Sequence, residues 1–143
     1  MTYAGRSLLI SGDTYGRDIG DSPETCEAAE SEMVQRASAI PIKSDVLIAP
    51  HHGADNGSSA CFIKAVAPTY VIFSAGHAHK HPRSTTVQRY LDEGVAVDKI
   101  FRTDLGDNEG AEEWSRGAGA GDKAGDDNVV VRMSAEGVLH VEQ

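Results

Sequence analysis

Four apolar residues in a row, Val46-Leu47-Ile48-Ala49, are cut off by Pro50 and followed at once by His51-His52-Gly53. An unbroken apolar run of this length suits a short strand buried on both faces. Pro50 cannot continue a ladder, so the chain turns outward there and delivers two imidazoles at the strand's carboxyl end. Open α/β sheets place ligands at that end. Neutral imidazole is the commonest protein ligand for borderline transition metals, so this turn is a metal-site candidate as well as an ordinary His-Gly surface turn.

The same shape recurs on either side. Arg6-Ser7-Leu8-Leu9-Ile10-Ser11-Gly12-Asp13 reads as a strand ending in a carboxylate, and a lone Asp there either satisfies its own turn backbone or faces a metal. Tyr70-Val71-Ile72-Phe73 is a buried strand leading into His77-Ala78-His79-Lys80-His81-Pro82. Between the first two strands, Ser22 is a candidate N-cap with Pro23 behind it. Cys26, Ala29, Met33, Ala37 and Ile40 then form one apolar stripe that Pro41 ends. A short helix capped by Ser58 or Ser59 precedes Pro68, a third runs over 83–93 before Gly94, and a fourth strand follows over 97–103.

Residues 105–128 differ in kind. Seven acidic residues and six glycines surround a single Trp114 with no apolar period, which predicts a mobile insertion. Two short runs, 129–133 and 137–141, then predict a terminal hairpin in which His140 is structural. The expected architecture is a single α/β domain over 1–143, ordered βαβαβαβ and followed by that hairpin.

A chain of 143 residues with 40% hydrophobic and 24% charged residues is ordinary for one globular domain. No apolar run approaches the roughly 20 residues that span a bilayer, and the opening residues do not resemble a signal peptide, so a cytoplasmic location is expected. A net charge of −9 argues against non-specific nucleic-acid binding. Cys26 and Cys61 stand far apart with no CxxC spacing and are expected to be buried thiols.

The order Leu-Leu-Ile-Ser-Gly-Asp, Asp-Val-Leu-Ile-Ala-Pro-His-His-Gly, a Gly-x4-His-Pro after a buried strand, and Phe101-Arg102-Thr103-Asp104 closely resembles the metallo-β-lactamase-fold hydrolases. Within them it is similar to the branch related to the soluble domain of ComEC/Rec2 DNA-uptake proteins. The resemblance spans residue 8 to about 104 and resumes at 128. It implies the C-terminal half of an αββα sandwich, with Asp13 as the metal-bridging aspartate and His51 as a late histidine ligand. His52 would face substrate or orient a neighbour, and His81 would contact a phosphoryl oxygen. His77 and His79 match no constant position of the pattern.

The resemblance also implies a dinuclear zinc or manganese centre and phosphodiester hydrolysis. This sequence departs from the pattern: it has neither the His-x-His-x-Asp-His segment nor the further histidine that the resemblance leads one to expect before the aspartate strand. Most ligands of such a centre would then come from an absent N-terminal half, which would also cover an exposed sheet face. Failing that, the face would drive self-association. The rival readings are a catalytically silent binding module of the same fold and a flavodoxin-like domain, although the latter's Gly-rich phosphate loop is missing.

Overall fold

The computed structural model describes residues 1–106, 109–115 and 127–143. Its centre is a five-stranded sheet in the order β1-β2-β3-β4-β5, formed by Thr2–Tyr3, Arg6–Ile10, Val46–Ile48, Tyr70–Phe73 and Ile100–Arg102. The last four are parallel neighbours, and β1 is antiparallel to β2. Three helices, α1 (Ala28–Gln35), α2 (Ala60–Val66) and α3 (Ser84–Asp92), make the crossovers. Strands β6 (Val130–Met133) and β7 (Leu139–Glu142) pair as a separate hairpin. The α/β expectation holds, with β1 added: Ala4 and Gly5, both at positive φ, turn the chain back into a short edge strand.

When strands lie in sequence order and every crossover has the same hand, all the helices fall on one face. Leu47, Val71, Phe73 and Ile100 are fully buried there against Phe62, Ile63 and Val66 of α2 and Val87 and Tyr90 of α3. The opposite face carries Leu8, Val46, Ile48, Tyr70, Ile72 and Phe101, and the hairpin lies across it through Val131, Leu139 and Val141. The hairpin is tied at both ends. Arg6 Nε donates to the Gly137 carbonyl at 2.6 Å, and Gln143 donates to the Arg102 carbonyl at 2.6 Å. It therefore covers part of the face expected to be open. Ile10 remains 66% exposed, and Leu8 and Ile48 are half-buried.

The first helix begins later than its apolar stripe predicts. Residues 21–25 wrap Arg17, whose guanidinium donates to the Asp21 and Ser22 carbonyls, while Pro23 accepts from Ala60 N at 3.1 Å. Backbone bonds Glu27 N to Gly16 O and Glu30 N to Tyr15 O hold the approach to α1 against the loop after β2. The buried thiols expected at Cys26 and Cys61 are instead a disulfide, with Cα atoms 6.0 Å apart and a sequence separation of 35. Helices α1 and α2 are packed side by side, and that contact brings the two cysteines together.

Of the insertion expected over 105–128, residues 107–108 and 116–126 lie outside the described residues. Residues 109–115 fold across the start of α3. Ser84 N donates to Glu112 O at 3.0 Å and Trp114 N to Pro82 O at 2.9 Å. Trp114 packs against the helix-side core, and buried Glu113 pairs with Arg102 at 3.2 Å. Two residues of a stretch without an apolar period thus find partners in the fold. Among the described residues, no helix is long and apolar enough to cross a membrane.

Candidate functional site at the strand ends

Because β2, β3 and β4 are parallel, their carboxyl ends share one edge, and the candidate residues meet there. After β2, Gly12 O accepts from His51 N at 2.9 Å, which sews the Asp13 turn to the His51 turn. His51, His52 and Gly53 all have positive φ, of 47°, 56° and 88°. Left-handed backbone at two successive non-glycine residues is sparsely populated and persists only where surrounding structure enforces it. Gly53 is required by space as well: a Cβ there would lie 2.5 Å from Pro82 Cβ and 2.7 Å from Phe73 Cδ1. Arg83 N donates to Gly53 O at 3.0 Å, so the histidine turn is locked to the His81-Pro82 segment.

Each turn histidine has one ring nitrogen tied. His51 Nδ1 lies 2.9 Å from Asn56 Oδ1, and His52 Nδ1 lies 2.6 Å from the Ser74 carbonyl. A carbonyl oxygen only accepts, so His52 carries its proton on Nδ1 and leaves the Nε2 lone pair outward. The Asn56 oxygen sets the same tautomer for His51. His52 Nε2 is 3.4 Å from Asp13 Oδ1. The imidazole beside Asp13 is thus that of His52, and the two form an ion pair only when Nε2 also carries a proton, while the His51 ring stands 6.2 Å from that of His81 and 6.5 Å from that of His52. His79, 6.1 Å from His81, extends the cluster into solvent. Partial burial, reinforced by the positive field of Arg83 and the other histidines, pushes the His81 imidazole down to about 4, so it is neutral near pH 7.

Beneath the turn is a braced loop that sequence reasoning missed. Arg89, 5% exposed, donates to the Ser58, Gly57 and Asp55 carbonyls and to the Asp55 carboxylate. Arg17, 4% exposed, reaches the Asp55 carbonyl from the other side. Burial pushes the Asp55 carboxyl up, but bonds from Thr85 and Arg89 outweigh it and hold the group below its ordinary range. Glu30 is fully buried and accepts from Ser58 N at 2.7 Å, Ser59 N at 2.8 Å and the Ser59 hydroxyl, in place of a side-chain cap on α2. Its burial pushes its pKa up, against the bonds from Ser59 and Ser58. Asn56, the partner of His51, sits in the middle of this loop.

The Arg102-Thr103-Asp104 run also gains a physical role. Fully buried Arg102 pairs with Asp104 at 2.8 Å and donates to the His81 carbonyl at 3.2 Å, while Thr103 Oγ1 bridges the backbone N–H and C=O of Ala75. It therefore fixes both loops that carry His52's partner and His81. A charged residue in a strand gives no sequence sign of such burial; only its position before Thr-Asp could have suggested it.

A carboxylate and outward imidazole nitrogens are the right donor chemistry for zinc or manganese. Their number is not sufficient: among the described residues, no group of three or more His, Cys, Asp or Glu side chains could hold a metal ion. The chain's own described residues therefore do not fit a complete centre.

No family model matches this chain, and no solved structure matches it. Over 121 residues, 83% of its length, the chain is 38% identical to the competence protein ComA of Neisseria gonorrhoeae, and it spans 15% of that relative's length. The chain is thus similar to a segment of a competence protein, in keeping with the ComEC branch that its motifs resemble.

Proposed function

We propose that this chain is one half of a metal-dependent hydrolase of the metallo-β-lactamase fold, acting on phosphodiesters and completed by a second half it does not contain. The observation that carries the reading is the convergence of Asp13, His51, His52 and His81 at three adjacent strand ends, with two imidazoles held in one tautomer. Asp13 and His51 are the residues that would supply ligands. Zinc or manganese, two ions in the complete domain, would provide an activated water at neutral pH. His52, held by Ser74 through Nδ1–H, presents Nε2 beside Asp13 and would face substrate there. His81, neutral and beside the cleft at the start of α3, offers an N–H to a phosphoryl oxygen. The similarity to a segment of a competence protein is in keeping with this reading. A nucleic-acid strand is the phosphodiester we assign as substrate.

A silent binding module is the second reading, favoured by the lack of a three-donor group among the described residues. The disulfide supports an oxidising compartment as the place of work, rather than the cell interior expected above. The functional test is hydrolysis of bis-(p-nitrophenyl) phosphate by the longest natural form of the protein, with Asp13→Asn, His51→Ala and His81→Ala compared for bound metal and rate. The first two should lose metal, whereas His81→Ala should keep metal and lose rate by about 100-fold, as for a removed transition-state contact. Full metal in a protein that turns over nothing would select the silent module. Equal metal loss in all three variants would make His81 a ligand.

A further inference from the structure

Beside His81 opens a cleft of about 530 Å³, lined among others by Ile19, Asp55, His81, Arg83, Thr85 and Glu112. Arg83 on its wall and Lys80 beside it are both engaged. Glu112, on the segment folded across α3, receives both Lys80 Nζ at 3.2 Å and an Arg83 guanidinium N–H. All three side chains reach water: Lys80 and Glu112 are more than half exposed and Arg83 about one third. The Asp55 carboxylate at the same cleft is already occupied by Arg17, Arg89 and Thr85, so it does not compete for these cations. A chain of net charge −9 repels anions in general, which makes a local pair of cations at the site's rim significant for an anionic substrate.

We propose that Lys80 and Arg83 form a phosphate-binding subsite for a substrate strand next to His81, and that the Glu112 carboxylate occupies it until a phosphate displaces it. The inference rests on the phosphodiester reading above and names how that substrate is gripped. A carboxylate and a phosphate oxygen make the same charge-assisted contacts to a guanidinium and an ammonium, so one exchanges for the other without new geometry. Arg83 is well placed for this, since its backbone is fixed by Gly53 O on one side and bridged to Glu113 on the other. The Arg83 and Lys80 contacts hold the Glu112 carboxyl below its ordinary range, so it stays an anion at neutral pH. The price of the arrangement is affinity, because each incoming phosphate must break an existing pair.

The test is metal-free binding, with EDTA present, of a fluorescein-labelled five-nucleotide thymidylate strand followed by anisotropy. Glu112→Gln removes the competing charge at an exposed position that folding does not depend on, and should tighten Kd about fivefold. Arg83→Ala should weaken it about tenfold and reduce the salt dependence by about one counterion, with Lys80→Ala weaker by about threefold. Lys43→Ala, the same charge change elsewhere on the surface, should alter Kd less than about twofold. Inorganic phosphate that competes only at concentrations far above the strand supports a phosphodiester subsite, while equal competition would make this a free-phosphate site and overturn the assignment. An unchanged or weaker Kd for Glu112→Gln, or an Arg83→Ala effect no larger than that of Lys43→Ala, overturns it as well. Since no metal or turnover enters the measurement, its failure leaves the hydrolase reading standing, and an inactive protein that shows these shifts leaves the subsite standing.

Discussion

On the helix side of the sheet, Leu47, Val71, Phe73 and Ile100 have no solvent exposure; on the hairpin side, Ile10 keeps 66% of its surface in water. The same strands supply both faces, so strand composition does not explain the contrast. Topology does. Three crossovers of one hand in strand order cover one face completely and leave the other to whatever else the chain provides. Among the described residues that is a single hairpin, lying across β3 to β5 and short of the end of β2. The open corner adjoins the edge where Asp13 and the histidines collect. The gap in the core and the gap in the donor set are at the same place, and a second half seated there would close both.

If the two faces differ in this way, equivalent truncations should have unequal costs. Phe73→Ala, on the finished face, should destabilise the chain by about 3–5 kcal/mol in urea unfolding, because it leaves a cavity between the sheet, the His51 turn and α3. A loss below about 1 kcal/mol would mean that the helix side is loosely packed. The disulfide belongs to the same face. Closing 35 residues removes unfolded-state entropy worth about 3–4 kcal/mol, so Cys26→Ser with Cys61→Ser should lower the transition by that much. An unchanged transition, together with two thiols reacting with Ellman's reagent in the native protein, would remove both the bridge and the argument for an oxidising compartment.

At the strand-end edge the sign is set by His81. Its imidazole is held neutral down to about 4, whereas in the unfolded chain it takes a proton near its ordinary value of 6.5. Stability should therefore fall as pH drops through 6.5 and level off below about 4. His81→Gln should flatten that slope, which urea midpoints across this range would show. Equal slopes would mean that His81 is solvated. The smallest effect is expected at the open corner. Ile10→Ser should shift stability by no more than about 0.5 kcal/mol while reducing self-association in sedimentation. A large loss of stability there would mean that the corner is already covered.

Much of this was legible in the residues. The runs ending in Asp13, His51-His52 and His81 announced three parallel strands and their shared edge, because an apolar run cut off by a polar group leaves few alternatives. Which histidine turns toward Asp13 was not legible: two successive left-handed residues swing the side chains through directions that no spacing predicts. The disulfide was hidden because helix packing, and not sequence separation, brings Cys26 and Cys61 together. Arg17, Glu30, Arg89 and Arg102 looked like surface charges. They are buried because loops without regular structure need donors and acceptors from below. The late start of α1 has the same origin, since residues 21–25 serve Arg17 before they can serve a helix.

One second half would complete both the sheet face and the metal centre. The most direct test is to purify residues 1–143, add zinc, desalt, and measure metal per chain alongside sedimentation velocity. Well under one zinc per chain and concentration-dependent association are expected, because a catalytic zinc takes about three protein ligands and the described residues gather fewer. A monodisperse monomer that retains two zinc ions per chain would contradict it.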